Sequence, residues 1–429
     1  MSFHKKTIRD IHVDGKRILM RADYNVPIDS SGHISNDYRI KQSLPTINYL
    51  LDHHCSIIIC SHLGRPDGKP DKKYSLAPVA ARLSKLLHKP VGFATDCIGP
   101  EVAKQVTALM PGQLLMLENV RFHSEEEAND TTFAKTLATY GDIFVQDAFG
   151  VVHHPSVSVS ELPKYLPGVA GLLLAKEVDT ITHVMEYPKR PLMAIIGGAK
   201  ISDKIEFLEH FVDMADFVAI GGAMANTFLL AEGIKTGKSL SEPDDIPLAK
   251  RILAKAKLKA KGKHFTFYLP QDGVVATKID KAARTRIVDW QAHVIAEVEA
   301  YPKRPPREAS LIAADELILD IGPFSGAFIA GGVQLANTVV WNGAMGITEI
   351  PALIGPIGPF AHGTELIIEA MTGQFGHRPY SLVGGGDTVG YIEARGEVDF
   401  FDHVSTGGGA SLELMSGKKL PGVEALENK

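Results

Sequence analysis

One pattern runs through this chain from end to end. A short apolar run stops at a cluster of Gly, Asp, Asn, His or Arg, and a helix-like stretch often follows. In the first half the runs are Arg17–Met20, Ser56–Cys60, Leu114–Leu117 and Ile143–Val145. In the second they are Leu192–Ile196, Phe217–Ile220, Phe265–Leu269, Leu317–Leu319, Thr338–Trp341 and Ser381–Val383. Continuous apolar runs of this length suit strands buried on both faces, and strands alternating with helices wind into parallel sheets. The pattern predicts an α/β chain of doubly wound parallel sheets. In such sheets ligands lie just outside the carboxyl ends of the strands, where the polar clusters fall. One such cluster is read as a plain turn. Ten in succession, with one side-chain chemistry per half, are read as a site.

A chain of 429 residues exceeds one ordinary core, and roughly 150 residues per domain implies two or three. Leu174, Val178, Ile181 and Met185 recur at helical spacing, and Pro188 and Pro191 close the segment. It predicts a helix joining two Rossmann-like domains. The expected boundaries are a first domain over 1–171, the hinge helix over 172–187, a second domain over 188–403 and a tail over 404–429. With 45% hydrophobic and 22% charged residues, disorder is excluded. A net charge of -5 argues against nucleic acid as the main partner. No apolar run approaches the ~18 residues of a membrane span, and Met1–Lys6 shows no secretory signal. Cys55, Cys60 and Cys97 are too few for a disulfide framework and are read as small buried hydrophobes in a reducing cytoplasm. No Cys–His or Ser–His–Asp arrangement is suggested. The adjacent pairs His53–His54 and His153–His154 are expected to diverge. The lysines between Lys250 and Lys263 are read as a solvated helix surface.

The halves differ in chemistry. The first places Arg21, Arg39, His62, Arg65 and Arg121 near strand ends, with Asp23 and Asn25 able to hold a hydroxyl. Arginine forks suit carboxylates and phosphates, so the set fits a small, polyanionic, hydroxylated substrate. The second half offers glycine pairs and lysines. Gly384-Gly385-Gly386-Asp387-Thr388 follows a strand-like run, and such glycines let backbone amides approach an anion at a helix start. Asp387 there makes sense if a divalent cation accompanies the phosphates. Lys200 and Lys204 are four apart, and on a helix they would share a face that needs an anion between them. A solvated helix face is an equal alternative for that segment. Gly233–Ser239 is one residue short of a Walker loop and follows a helix-like run, which excludes that motif.

Taken in order, Arg21–Pro27, Ser61–Pro66, Glu118–Phe122, Asp147–Gly150, Gly197–Lys204, Trp341–Gly343, Gly384–Thr388 and His403–Ser411 closely resemble the phosphoglycerate kinase family over nearly the whole chain. The resemblance implies that the first domain binds 3-phosphoglycerate or 1,3-bisphosphoglycerate through Asp23, Asn25, Arg39, His62, Arg65 and Arg121. It implies that the second binds ATP or ADP with magnesium. There Lys200 and Lys204 match the phosphate lysines, Asp387 the metal ligand, and Gly384, Gly385, Gly386 and Thr388 the phosphate-binding helix start. Glu349 matches the ribose carboxylate, while Asn342 and the Gly221–Gly222 pair lie beside the nucleotide. Arg39, Lys200, Lys204, Gly385 and Gly386 are the expected catalytic set. The tail after His403 is expected to return to the first domain, and a cytoplasmic monomer without nucleic-acid or membrane partners is implied.

The sequence departs from the family at several points. His154 stands where an arginine usually grips the substrate phosphate. Histidine lacks the bidentate fork and is partly neutral near pH 7, so weaker and pH-dependent substrate binding is expected. Ala344 and Ala223 replace a proline and a glycine near the nucleoside, and residues 275–310 run long. Two alternatives stay open: a phosphotransferase acting on another small carboxylate, and a non-catalytic nucleotide binder on the same fold.

Overall fold

The computed structural model describes residues 3–29, 31–262, 264–290 and 311–429. The chain divides into two compact units, Met1–Glu186 with Thr406–Lys429, and Tyr187–Ser405.

The first unit holds a six-stranded sheet of β1 (Arg17–Arg21), β2 (Ser56–Cys60), β3 (Val91–Phe93), β4 (Leu114–Met116), β5 (Ile143–Gln146) and β6 (Gly168–Ala170). Their order is β3-β4-β2-β1-β5-β6, and every pairing is parallel. All five positions of β2, Ser-Ile-Ile-Ile-Cys, are buried, as an inner parallel strand covered on both faces requires. Ile18, Met20, Ile57, Ile59 and Val145 form one core with Ile40, Ile47 and Leu50 of the helix Tyr38–Asp52. The edge strands β3 and β6 have three residues each and were absent from the sequence reading. Their runs are too short and too glycine-rich to register as apolar segments.

The second unit repeats the plan with β7 (Leu192–Ile196), β8 (Phe217–Ile220) and β9 (Thr266–Tyr268), then β13 (Thr338–Asn342), β14 (Tyr380–Gly384) and β15 (His403–Val404). Their order is β15-β14-β13-β7-β8-β9, again all parallel. Between the two groups lies a three-stranded antiparallel sheet of β10 (Asp272–Ala276), β11 (Arg286–Asp289) and β12 (Leu317–Ile321). This sheet corrects two expectations. Leu317–Leu319 is not a strand of the parallel sheet. In the polar cluster that follows the run Phe265–Leu269, Asp272-Gly273 opens β10 instead of forming a strand-end site. The Asp272 carboxylate accepts from the Phe324 and Ser325 amides at 2.9 Å each and from the Ser325 hydroxyl at 2.6 Å. It therefore caps the helix Pro323–Leu335, whose first amides lack intrahelical acceptors.

The helix Leu172–Glu186 belongs to the first unit, where Leu174, Glu177, Val178, Ile181 and Val184 are its buried residues. Val184 takes the inward place expected of Met185. The returning tail is anchored there: Glu177 Oε1 accepts from the Thr406 amide at 2.6 Å and its hydroxyl at 2.7 Å. Ser405 N still donates to Val383 O, so the chain leaves the second unit one residue beyond the β15 pair. On the helix Ile246–Gly262, Lys255 and Lys257 pair with Asp213 and Glu232, while Lys259 donates to the carbonyls of Val212, Asp213 and Ala215. These lysines hold neighbouring elements together, and Lys263 lies outside the described residues. The long stretch 275–310 is described only to Trp290.

Candidate active-site surfaces

The first unit gathers cations at the carboxyl ends of β1, β2 and β4. Arg21 is the last residue of β1 and is 2% exposed. Its Nη1 donates to Ala22 O at 2.7 Å and its Nη2 to His62 Nδ1 at 3.2 Å, while its Nε is buried without a partner. Burial holds the His62 imidazole well below its usual pKa, with Arg21, Arg121 and Arg39 acting in the same direction and Asp23 opposing. His62 is therefore neutral. A guanidinium only donates, so Nδ1 must accept and Nε2 carries the proton. Asp23 lies 3.9 Å from the same ring and 3.1 Å from Arg39 Nη1. Burial alone would raise its carboxyl, but the Arg39 charge above all, with the Asn25 amide and Arg21, outweighs that and holds it ionised below the usual value. Arg39 Nη1 also donates to Asn25 O at 3.1 Å, and Asn25 Oδ1 accepts from Gly64 N at 2.9 Å.

Beside this chain of contacts, Arg21, Arg65, Arg121 and His154 line a pocket of about 450 Å³. Arg121 donates to Gly64 O at 3.0 Å and pairs with Glu127 at 3.2 Å, whereas Arg65 is exposed without an ion pair among the described residues. Asp23, Asn25, Arg39 and His62 do not line that pocket and meet it through Arg21. Arg21 lies outside the expected substrate set; its position as the last residue of a buried strand is the sequence signal that points to it. The ring centroids of His153 and His154 lie 3.9 Å apart, so this pair does not diverge as expected. Burial, with help from His154, lowers the His153 pKa to about 4.

The second unit builds its surface from backbone. β7, β13 and β14 end side by side, and Asn342 pairs in register with Ile196 and Gly384. Gly385 sits at φ +95° and leads into the helix Gly386–Ala394. Gly222 sits at φ +64°, and a Cβ there would come within 2.6 Å of Gly198 N and 2.8 Å of Ala344 O. Lys204 folds into the strand ends: its Nζ lies 2.6 Å from Gly197 O and 2.7 Å from Asn342 Oδ1. Burial lowers its pKa to about 8, partly countered by Asp387 and Asp203. Lys200 is exposed and precedes the turn Ser202–Lys204; the helix begins only at Ile205. The two lysines therefore do not share a helix face, because the segment stays irregular to keep Lys204 against the strand ends.

A cleft beside these groups is lined by Gly198, Gly222, Asn226, Trp290, Glu349 and Asp387, among others. Gly221 backs it, with its amide bonded to Ile196 O. Ala223 and Ala344 both line it. Asn342 Nδ2 is buried without a partner, and the Thr388 hydroxyl accepts from Gly343 N at 3.0 Å. Asp387 is exposed in the first helical turn and makes no hydrogen bond among the described residues. A single free carboxylate beside a lysine and helix-start amides fits a hard divalent cation carried in with phosphates.

Comparison with known proteins bears on both surfaces. The family model described as phosphoglycerate kinase matches residues 8–418. The phosphoglycerate kinase of Chloroflexus aurantiacus is 44% identical over 427 residues, covering 99% of each chain. That of Moorella thermoacetica is 44% identical over 425 residues, covering 99% of this chain and 100% of the relative. Among solved structures, phosphoglycerate kinase from Coxiella burnetii matches with TM-score 0.78 and 36% identity, and that from Pyrococcus horikoshii with 0.81 and 27%. Each covers 98% of both chains.

Proposed function

This chain belongs to the phosphoglycerate kinase family, and we propose that it moves a phosphoryl group directly between 1,3-bisphosphoglycerate and ADP, giving 3-phosphoglycerate and ATP. The observation that carries the residue assignment is the division of labour: one unit presents arginines with spare donors, the other a glycine-built anion cradle with a lysine inside it.

In the first unit, Arg21, Arg65, Arg121 and His154 take the substrate phosphate. Asp23, Asn25, Arg39 and the Nε2–H of His62 take its hydroxyl and carboxyl end. In the second, Gly385, Gly386 and Thr388 receive nucleotide phosphates, with Lys200, Lys204 and the orphaned Asn342 amide as further donors. Gly221 and Gly222 make room for the nucleoside, and Glu349 receives the ribose. Asp387 holds magnesium, which when bound offsets phosphate charge.

In the direction of ATP use, the substrate carboxylate oxygen forms a bond to the γ-phosphorus as the bond to the ADP oxygen breaks. No covalent enzyme intermediate is needed. The protein's work is positioning and stabilising charge on the passing phosphoryl oxygens, which falls to Arg39, Lys204 and the Gly385–Gly386 amides. Each unit carries one ligand, so in-line transfer requires the two bound ligands to meet with water excluded. Water reaching the acyl phosphate would hydrolyse it.

We place the enzyme in the cytoplasm as a monomer; no described helix is long and apolar enough to cross a membrane. A coupled assay with 3-phosphoglycerate and MgATP tests the reading. Turnover of a different small carboxylate instead would favour the related phosphotransferase, and nucleotide binding without turnover a non-catalytic binder. Asp387→Ala is expected to weaken MgADP about a hundredfold while leaving metal-free ADP nearly unchanged, by calorimetry. Equal losses would remove Asp387 as the metal ligand.

A further inference from the structure

The loop after β3 and the turn after β4 bring together three groups that the reaction does not use. His123 Nε2 lies 2.6 Å from Asp96 Oδ1, and one ligand atom each from Asp96, Cys97 and His123 falls within 4.8 Å of the others. No Cys–His arrangement was expected from the sequence: His123 comes 26 positions after Cys97, with the helix Pro100–Ala108 and β4 between them. Parallel pairing of β3 with β4 and the bond from Ala94 N to Met116 O close that gap.

We infer that Asp96, Cys97 and His123 form a binding site for a borderline transition-metal dication of the zinc or cobalt class. A sulfur, an imidazole nitrogen and one carboxylate oxygen are the donors such ions select, whereas magnesium and calcium take oxygen alone. The donors form a path inward from solvent: Asp96 is exposed, His123 half-buried and Cys97 fully buried. They are also oriented by neighbours, as ligands of a real site must be. The His123 ring stacks on Phe133 at 5.1 Å, and the Cys97 amide donates to Asp96 Oδ1 at 2.6 Å. The nearby Glu118 carboxylate already accepts from Ser75, Leu76 and Asn119, so a fourth position falls to water. Cys97 Sγ now donates to Glu118 O at 2.9 Å. On binding, that thiol proton passes to solvent, and the proton between His123 Nε2 and Asp96 is exchanged through solvent to His123 Nδ1, leaving a neutral imidazole with Nε2 free for the ion. Cys55 and Cys60 are excluded as the thiol because neither has an imidazole and a carboxylate gathered about its sulfur among the described residues. The bound ion would clip the β3 loop to the turn that carries Arg121.

Cobalt(II) titrated into the chelator-treated full chain tests this. One equivalent is expected to give a sulfur-to-cobalt charge-transfer band, and zinc is expected to raise the melting temperature. Cys97→Ser should abolish the band, Cys60→Ser should leave it, and His123→Gln and Asp96→Asn should each weaken cobalt about tenfold or more. The last two alter partly exposed positions, so they report even if Cys97→Ser folds poorly. Absence of the band at one equivalent, its survival in Cys97→Ser, or cobalt affinity unchanged in both His123→Gln and Asp96→Asn would overturn the site.

Discussion

The two units solve the same problem, holding a polyanion at the ends of parallel strands, with opposite materials. The first uses long side chains that neutralise and brace one another: Arg39 on Asp23, Arg121 on Glu127, Arg21 on His62. The second uses bare backbone, with Gly222 and Gly385 at positive φ and a single lysine drawn into the strand ends. A side-chain site can tolerate exchange at one position but depends on each charge. A backbone site depends on what is missing, since a methyl group fills the space the ligand needs.

Arg39→Ala should break this contrast most sharply. Its kcat is expected to fall about a thousandfold, because a donor to the passing phosphoryl group is lost, while MgADP affinity changes by less than about twofold. Parallel losses in both constants would show that the two surfaces are not separate. Gly222→Ala probes the other material. A left-handed alanine with its Cβ against Gly198 N and Ala344 O is expected to cost roughly 2 kcal/mol of stability in urea denaturation and to impair nucleotide binding before substrate binding. A neutral outcome would mean the cradle can yield.

Lys204 sharpens the comparison through pH. Its folded pKa of about 8 lies below the ordinary lysine value of about 10.4. From about pH 8 to 10 the unfolded chain therefore holds more protons at this residue, and its contribution to stability improves as pH rises. Binding runs the other way, because phosphates need the ammonium form. MgADP dissociation constants should rise about tenfold from pH 7 to 9 as the competent fraction shrinks, and stay flat in Lys204→Arg. The smallest effect belongs to the first unit. His154→Arg restores a fork to the pocket and should lower KM for 3-phosphoglycerate about three- to tenfold. A KM unchanged in this variant would show that His154 does not touch the phosphate.

Much of this was legible because its signals are local. A run such as Leu-Met-Ala-Ile-Ile declares a buried parallel strand by itself, and Gly384-Gly385-Gly386-Asp387 declares a tight turn into a helix. Readings that needed partners distant in sequence failed. Lys200 and Lys204 were given a helical spacing, yet tertiary contacts of Lys204 with Gly197 and Asn342 hold the segment irregular. The cluster after Phe265–Leu269 counts with the strand-end clusters, yet its Asp272 caps a helix that begins 51 residues later, at Pro323. His153 and His154 were set apart on a regular-backbone assumption that the turn there does not obey.

The amino-acid order alone determined the buried inner strands of the two parallel sheets, where glycine allows backbone to meet an anion, and which residues carry charge. These depend on neighbours a few positions away. Only the folded chain decided that Arg21 is buried with a spare Nε, that His62 is neutral with its proton on Nε2, and that Cys97 meets His123. Burial and proton placement depend on every group brought within a few ångströms, and sheet order, which no local pattern encodes, chooses those groups.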